Sequence, residues 1–102
     1  MDKIKFDFNN KTAVITGGAQ GFGLDIAKRF LKSGAKVIIW DIDPKMLDKA
    51  IKDLNDPNLS SNIVDVSNYK EVEKCSNEII KNFNVDILIN NAGITGPTAA
   101  LW

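Results

Sequence analysis

The chain has 102 residues, which fits one domain, and its 13 basic and 13 acidic side chains balance. Balanced charge without a basic run argues against a nucleic-acid partner, and no apolar stretch approaches the roughly 20 residues that cross a bilayer. With no histidine and a single cysteine, Cys75, we expect no metal site and no internal disulfide, which suits a reducing cytoplasm.

Strand and helix patterns alternate along the chain, as in βαβ units with a parallel sheet. Ahead of them, residues 1–11 alternate apolar and charged side chains, which predicts a strand or a packed arm rather than a signal peptide. The first helix begins near Phe22, the second at Pro44 after an Asp43 N-cap, and the third after Ser67, its predicted cap. The predicted strands are residues 12–16, 36–40, 61–64 and 85–90.

Two of the predicted helices carry a single apolar stripe for packing on the sheet. These stripes are Leu47, Ala50, Ile51 and Leu54 in the second helix, and Val72, Cys75, Ile79 and Phe83 in the third. Right-handed crossovers then give the strand order 3-2-1-4, with two helices on one face and one on the other. We therefore expect a Rossmann-type doubly wound α/β fold whose ligand lies at the carboxyl ends of strands one and four.

The predicted sheet ends on an unprotected fourth strand. The third helix alone covers the second face, which leaves apolar surface that promotes association. We therefore expect residues 1–102 to form an incomplete Rossmann-type domain, truncated after strand four.

A glycine-rich loop, Thr16 to Gly23, joins the first strand to the first helix. The tight turn needs residues without Cβ at Gly17 and Gly23, and the backbone must approach a pyrophosphate closely at Gly21. The helix that opens near Phe22 directs N–H groups and the positive end of its dipole at that anion. The loop predicts a phosphate-bearing dinucleotide; the alternative is a glycine-rich turn that binds nothing.

The run Thr-Gly-x-x-x-Gly-x-Gly at residues 16–23 resembles the cofactor signature of the short-chain dehydrogenases/reductases. Asp41, Asp65-Val66 and the run 90–93, Asn-Asn-Ala-Gly, match further motifs of that family in order and spacing. The resemblance implies an oxidoreductase that transfers hydride between a nicotinamide cofactor and an alcohol or ketone. The run from residue 90 to 97 is similar to 3-oxoacyl-carrier-protein reductases and polyol dehydrogenases.

Asp41, at the end of the second strand, can accept hydrogen bonds from both ribose hydroxyls of adenosine and repel the 2′-phosphate of NADP. The family often selects its cofactor with a basic residue near Gln20 or just after strand two, but Gln20 is neutral and Ile42 is apolar. We therefore expect NAD, with NADP less favoured. The alternative is that Asp41 only caps the turn before Pro44, a task that Asp43 already performs.

The resemblance implies that the Asp65 side chain accepts a hydrogen bond from the adenine amino group, with Val66 as a neighbouring N–H donor. Asp65 could instead be a turn residue before Ser67. It also implies that Asn90 is a structural residue, which joins strand four to strand one. Ala92 and Gly93, after Asn91, then leave room for the ribose of the cofactor. The residues predicted to contact the cofactor are Gly17, Gln20, Gly21, Phe22, Gly23, Asp41, Ile42, Asp65, Val66, Asn91, Ala92 and Gly93.

The resemblance places the catalytic serine and Tyr-x-x-x-Lys beyond Trp102, so it predicts no catalytic residue in this chain. Tyr69 is followed four residues later by Glu73 where the family needs lysine, and we expect it to be a surface or packing residue. We therefore expect the chain alone to be inactive, and the full-length form to be a cytoplasmic homo-oligomer, a tetramer or dimer. The alternative function is a non-catalytic nucleotide-binding or interaction module.

Overall fold

Strands and helices alternate strictly in the computed structural model of the protein, which describes residues 7–91. In chain order the elements are β1 (Thr12–Thr16), α1 (Gly21–Lys32), β2 (Lys36–Asp41), α2 (Pro44–Leu54), β3 (Leu59–Ile63), α3 (Tyr69–Asn82) and β4 (Ile87–Asn90). Ala92 and Gly93, two of the predicted cofactor contacts, and residues 1–6 of the predicted arm lie outside the described residues.

The four strands form one parallel sheet in the order β3-β2-β1-β4, which confirms the predicted topology. β1 is buried along its whole length because it has a strand on each side and helices on both faces. Its last residue, Thr16, pairs with Trp40 of β2 and with Asn90 of β4. The carboxyl ends of these three strands are therefore level, and the loops that follow them meet at one edge.

Each face of the sheet has its own apolar core. α1 and α2 cover one face, where Ala27, Leu47 and Ala50 pack against side chains of β1, β2 and β3. α3 covers the other face with Val72 and Ile79, which pack around Trp40. Both predicted helical stripes face the sheet, and each fully buried Ile, Leu or Val contributes roughly 1.5–3 kcal/mol. The predicted distribution of helices over the two faces is confirmed.

Two strands begin elsewhere than predicted. β3 begins at Leu59, two residues earlier, because Leu59 is buried and pairs with Val37 of β2. β4 begins at Ile87 rather than at Val85, because the main chain and the side chain of Asp86 both form hydrogen bonds with the main chain of Thr12. The Asp86 N–H donates to the Thr12 carbonyl oxygen at 2.9 Å, and Oδ2 of Asp86 accepts from the Thr12 N–H at 3.0 Å.

The predicted cap of α2 is confirmed and that of α3 is wrong. Oδ1 of Asp43 accepts from the N–H groups of residues 45 and 46 at 3.0 and 3.3 Å. At α3, Asn68 replaces Ser67 as the cap, and its Oδ1 accepts from the N–H groups of residues 70 and 71 at 3.1 and 3.3 Å. Asparagine caps at least as well as serine, and the Ser67 hydroxyl donates to Asp65 instead.

The segment before β1 packs on the end of α1. The Phe8 ring lies edge-on against Phe30, with ring centroids 5.1 Å apart, and its N–H donates to the Ser33 oxygen at 2.8 Å. Trp40 is buried in the α3 face, as expected of a core residue. Within residues 7–91, no helix combines the length and apolar character needed to cross a membrane.

Candidate functional site

Gly21 and Gly23, which belong to the glycine-rich run 16–23 and lie in the first turn of α1, differ in the space around them. A Cβ on Gly23 would collide with the carbonyl oxygen of Gly17 and lie 2.7 Å from Nδ2 of Asn91, so this position has no room for a side chain. Gly21 has a φ of 60°, where other residues are strained, yet a Cβ there would meet nothing within 4 Å. The loop is therefore packed tightly on its inner side and open on its outer side, above Gly21.

The open side coincides with the first turn of α1. Gln20 is the N-cap in an extended conformation, and its side chain makes no capping hydrogen bond. The first N–H groups of a helix have no intrahelical partner, so they remain available to a ligand at this position. Phe22 is 81% exposed beside them. A shallow depression lined by residues 21, 22, 24 and 25 lies over this helix end.

Two hydrogen bonds fix the loop to β2. The Gly18 N–H donates to the Trp40 oxygen at 3.1 Å, and the Ala19 N–H donates to Oδ2 of Asp41 at 3.3 Å. A Cβ on Gly18 would lie 2.6 Å from Cγ2 of Ile39, so Gly18 also has no room for a side chain. Sequence reasoning missed this constraint, because it depends on a neighbouring strand rather than on the turn.

A polar network on the other side fixes the loop to β4. The Thr16 hydroxyl donates to Oδ1 of Asn90 at 3.1 Å and accepts from the Asn91 N–H at 2.9 Å. Nδ2 of Asn91 donates to the Gly17 oxygen at 3.3 Å. Asn90 thus joins β4 to β1, and Asn91 reaches the glycine loop itself. Sequence reasoning gave Thr16 no role of its own, although a threonine at a strand end is a possible signal for such a junction.

Asp41 is only 7% exposed and serves the local backbone with both oxygens. Besides the bond from Ala19 to Oδ2, its Oδ1 accepts from the Asp43 N–H at 3.2 Å. Each carboxylate oxygen has about two acceptor sites, so each oxygen of Asp41 can still accept one more hydrogen bond. The next residue, Ile42, is 61% exposed and places no charge beside the carboxylate.

Asp65 and Val66 follow β3, two strands away from β1 in the sheet. Oδ1 of Asp65 accepts from the Ser67 hydroxyl at 2.6 Å and from the Ser67 N–H at 2.9 Å. These two donors hold the pKa of the Asp65 carboxyl below its ordinary value. Val66 packs against the α3-face core. The turn geometry that sequence reasoning left open for Asp65 is therefore present.

Two residues with reactive side chains lie away from this edge. Tyr69 is the first residue of α3 and is 67% exposed, as expected of a surface residue. Cys75 lies on α3 beside the core; burial raises the pKa of its thiol, and the Glu78 carboxylate raises it further. Among residues 7–91, no three His, Cys, Asp or Glu side chains are grouped as metal ligands.

The parallel 3-2-1-4 sheet with a glycine-rich loop between β1 and α1 defines a Rossmann-type α/β domain. The sequence model of the short chain dehydrogenase family matches residues 11–101, and the chain belongs to that family.

Named relatives agree with this assignment. The chain is 42% identical over 95 residues to the 3-oxoacyl-(acyl-carrier-protein) reductase of Rickettsia typhi, a match that covers 93% of this chain and 38% of that protein. It is similar to the structure of 2-keto-3-deoxy-D-gluconate dehydrogenase from Streptococcus agalactiae, with 33% identity and a TM-score of 0.79 over 95% of this chain and 38% of that one. L-sorbose reductase from Gluconobacter frateurii, complexed with NADPH and L-sorbose, matches at 32% identity and a TM-score of 0.80, over 89% of this chain and 36% of that one. The chain thus spans little more than a third of the length of these relatives.

Proposed function

We propose that this chain holds NAD in a short-chain dehydrogenase/reductase that transfers hydride between nicotinamide and an alcohol or ketone. The observation that carries the proposal is the two-sided glycine loop. Gly23 has no space for a side chain, whereas the space in front of Gly21 is open at the start of a helix. An anion can therefore approach the backbone at Gly21.

The pyrophosphate lies over Gly21 and Phe22 in this proposal. Backbone N–H groups of the first helical turn donate to its oxygens, and the positive end of the α1 dipole favours the negative charge. The dipole contributes about 0.3–1 kcal/mol at an exposed site. Since the loop is fixed to both β2 and β4 before the ligand arrives, little of the binding energy is lost in ordering it.

Adenosine extends from the loop across the ends of β2 and β3. We assign the ribose hydroxyls to the remaining acceptor sites of Asp41 and the adenine amino group to Asp65, with the Val66 N–H as a neighbouring donor. The carboxylate of Asp41 repels a 2′-phosphate, and the uncharged neighbours Gln20 and Ile42 do not offset that repulsion. L-sorbose reductase was solved with NADPH, so fold similarity alone does not determine the cofactor, and Asp41 is our reason to propose NAD.

Bound nicotinamide supplies the hydride donor or acceptor, and the residues of this chain bind and orient the cofactor. Proton transfer in the family requires a tyrosine with a lysine four residues later. In the 102 residues the one tyrosine, Tyr69, is followed by Glu73 at that distance and lies exposed on α3. We therefore propose that these 102 residues alone turn over no substrate. The reductases among the relatives suggest a 3-oxoacyl thioester or a polyol-type ketone for the whole protein.

Calorimetric titration of the purified protein with NAD and with NADP at fixed salt tests the proposal. We expect saturable binding of NAD and at least tenfold weaker binding of NADP, which corresponds to about 1.4 kcal/mol. Binding of neither dinucleotide would overturn the dinucleotide assignment. Equal affinities would leave it standing but would show that Asp41 does no more than close its turn.

A further inference from the structure

The Asp65–Ser67 turn lies where β3 leads into α3. Ser67 has no capping task, because Asn68 caps the helix. Its hydroxyl and its N–H both donate to the same oxygen of Asp65, Oδ1, at 2.6 and 2.9 Å. The N–H of Asp65 donates to Oε1 of Glu71 at 3.4 Å. Both the main chain and the carboxylate of Asp65 are therefore oriented before any ligand binds.

The two oxygens of Asp65 are consequently not equivalent. A carboxylate oxygen has about two acceptor sites, so the two bonds from Ser67 occupy Oδ1. Within residues 7–91, no group donates to Oδ2. The donors from Ser67 also keep the pKa of Asp65 below its ordinary value, so that the carboxylate remains ionised at neutral pH. An ionised oxygen with unused acceptor sites in a fixed direction is suited to a ligand N–H donor.

We propose that Ser67 is a positioning residue, which holds Asp65 so that Oδ2 accepts a hydrogen bond from the exocyclic amino group of adenine. The proposal rests on the proposed binding of NAD and assigns Ser67 a part in it. Without the Ser67 hydroxyl, one of the two bonds to Oδ1 is lost and the carboxylate can rotate. Ordering the carboxylate when the ligand binds then costs free energy and weakens binding.

An analogue altered only at the base separates this role from a structural one. In nicotinamide hypoxanthine dinucleotide a carbonyl oxygen replaces the amino group of adenine, so it offers Asp65 an acceptor where NAD offers a donor. The ratio of the two affinities therefore reports the orientation of Asp65. A variant that merely loosens the fold weakens both ligands equally and leaves the ratio unchanged.

The experiment measures that ratio by calorimetry in the protein and in three variants. We expect the unmodified protein to prefer NAD about tenfold, the range for a hydrogen bond to a charged group. Ser67→Ala should reduce the preference to about threefold or less, and Ser67→Thr, which keeps the hydroxyl, should retain it. Asn68→Ala is the matched control, because it removes the α3 cap one residue away and leaves both Asp65 bonds in place.

An unchanged ratio in Ser67→Ala, with NAD still bound, would overturn the role of Ser67 and leave the proposed function intact. The same reduction in Asn68→Ala as in Ser67→Ala would also overturn it, because the effect would then come from the helix end. If the unmodified protein binds neither dinucleotide, the proposed function fails and this inference fails with it.

Discussion

The glycine loop and the Asp65–Ser67 turn lie at the same edge of the sheet but are built in different ways. The loop, residues 16–23, is wedged between β2 and β4, and Gly18 and Gly23 have no room even for a methyl group. The Asp65–Ser67 turn follows an edge strand, and hydrogen bonds between exposed side chains hold it. Packing therefore fixes the proposed phosphate end of the site, whereas hydrogen-bonding side chains define the proposed adenosine end.

This difference separates affinity from selectivity. Backbone N–H groups bind any pyrophosphate, so changes in the loop should affect all dinucleotides alike. In the proposed complex, the carboxylates at the ends of β2 and β3 contact the parts in which dinucleotides differ, the 2′ position and the base. Substitutions there should change which dinucleotide binds.

The largest effect should follow Gly23→Ala. The new methyl group collides with the Gly17 carbonyl and crowds the Asn91 amide, so we expect the loop to shift and NAD affinity to fall by about a hundredfold or more, roughly 2.7 kcal/mol. The affinities for NAD and for NADP should fall by the same factor. Calorimetry with both dinucleotides measures the loss.

Gly34→Ala is the matched control for that variant. Gly34 lies in the connection between α1 and β2, at the opposite edge of the sheet, with a φ of 92° and a Cβ position that collides with Asn9. We expect it to destabilise the fold by about 1–2 kcal/mol and to leave NAD affinity unchanged while the protein is folded. Equal losses of affinity in the two variants would contradict the special role of the loop.

Asp41→Ser should change which dinucleotide the proposed site prefers. It removes a charged acceptor for the ribose, worth roughly 1.5–3 kcal/mol, and the repulsion of the 2′-phosphate. We expect the preference for NAD to fall from at least tenfold to near equality, and Ile42→Arg added to it to reverse the preference. Because salt screens the phosphate charges of the dinucleotides, both titrations need the same ionic strength. Undiminished preference for NAD in Asp41→Ser would place the determinant elsewhere.

Thr16→Val tests the junction between the loop and β4. Valine keeps the shape and loses the hydroxyl that joins Asn90 and Asn91 to β1. Leaving a buried donor or acceptor without its partner costs about 1–3 kcal/mol, so the urea midpoint should fall accordingly. Thr12→Val, at the other end of β1, should cost less, because within residues 7–91 the Thr12 hydroxyl makes no hydrogen bond. Equal falls of the urea midpoint in the two variants would mean that the hydrogen bonds of the Thr16 hydroxyl add nothing to stability.

The smallest effect concerns pH. The pKa of Asp65 is lowered in the folded protein, so its contribution to stability is present above the ordinary carboxyl value of 3.8 and is lost as the pH falls through the lowered one. Between pH 5 and 8 the stability difference between the protein and Asp65→Asn should be constant, and it should narrow only below about pH 4. Chemical denaturation across that range measures it. A difference that changes near pH 6 would show that Asp65 does not stay ionised.

The sheet order, the faces of the helices and the position of the loop could be predicted because they follow from apolar periodicity, crossover handedness and glycine spacing. The predictions failed where neighbours in space decide. Ser67 does not cap α3, because its hydroxyl donates a hydrogen bond to Asp65, two residues earlier. β3 begins earlier than predicted, because Leu59 pairs with Val37. The roles of Gly18 and Thr16 could not be predicted for the same reason, since Gly18 packs against β2 and Thr16 forms hydrogen bonds with β4.

Mapping of backbone amide shifts on addition of NAD tests the central claim most directly, because it observes both regions in one experiment. We predict that the shifted amides concentrate in residues 17–23, at Asp41 and Ile42, and at Asp65 and Val66. Shifts confined to the loop would contradict the adenosine placement. Shifts concentrated on the opposite sheet face, around Ile79, Phe83 and Leu88, would contradict the site as a whole.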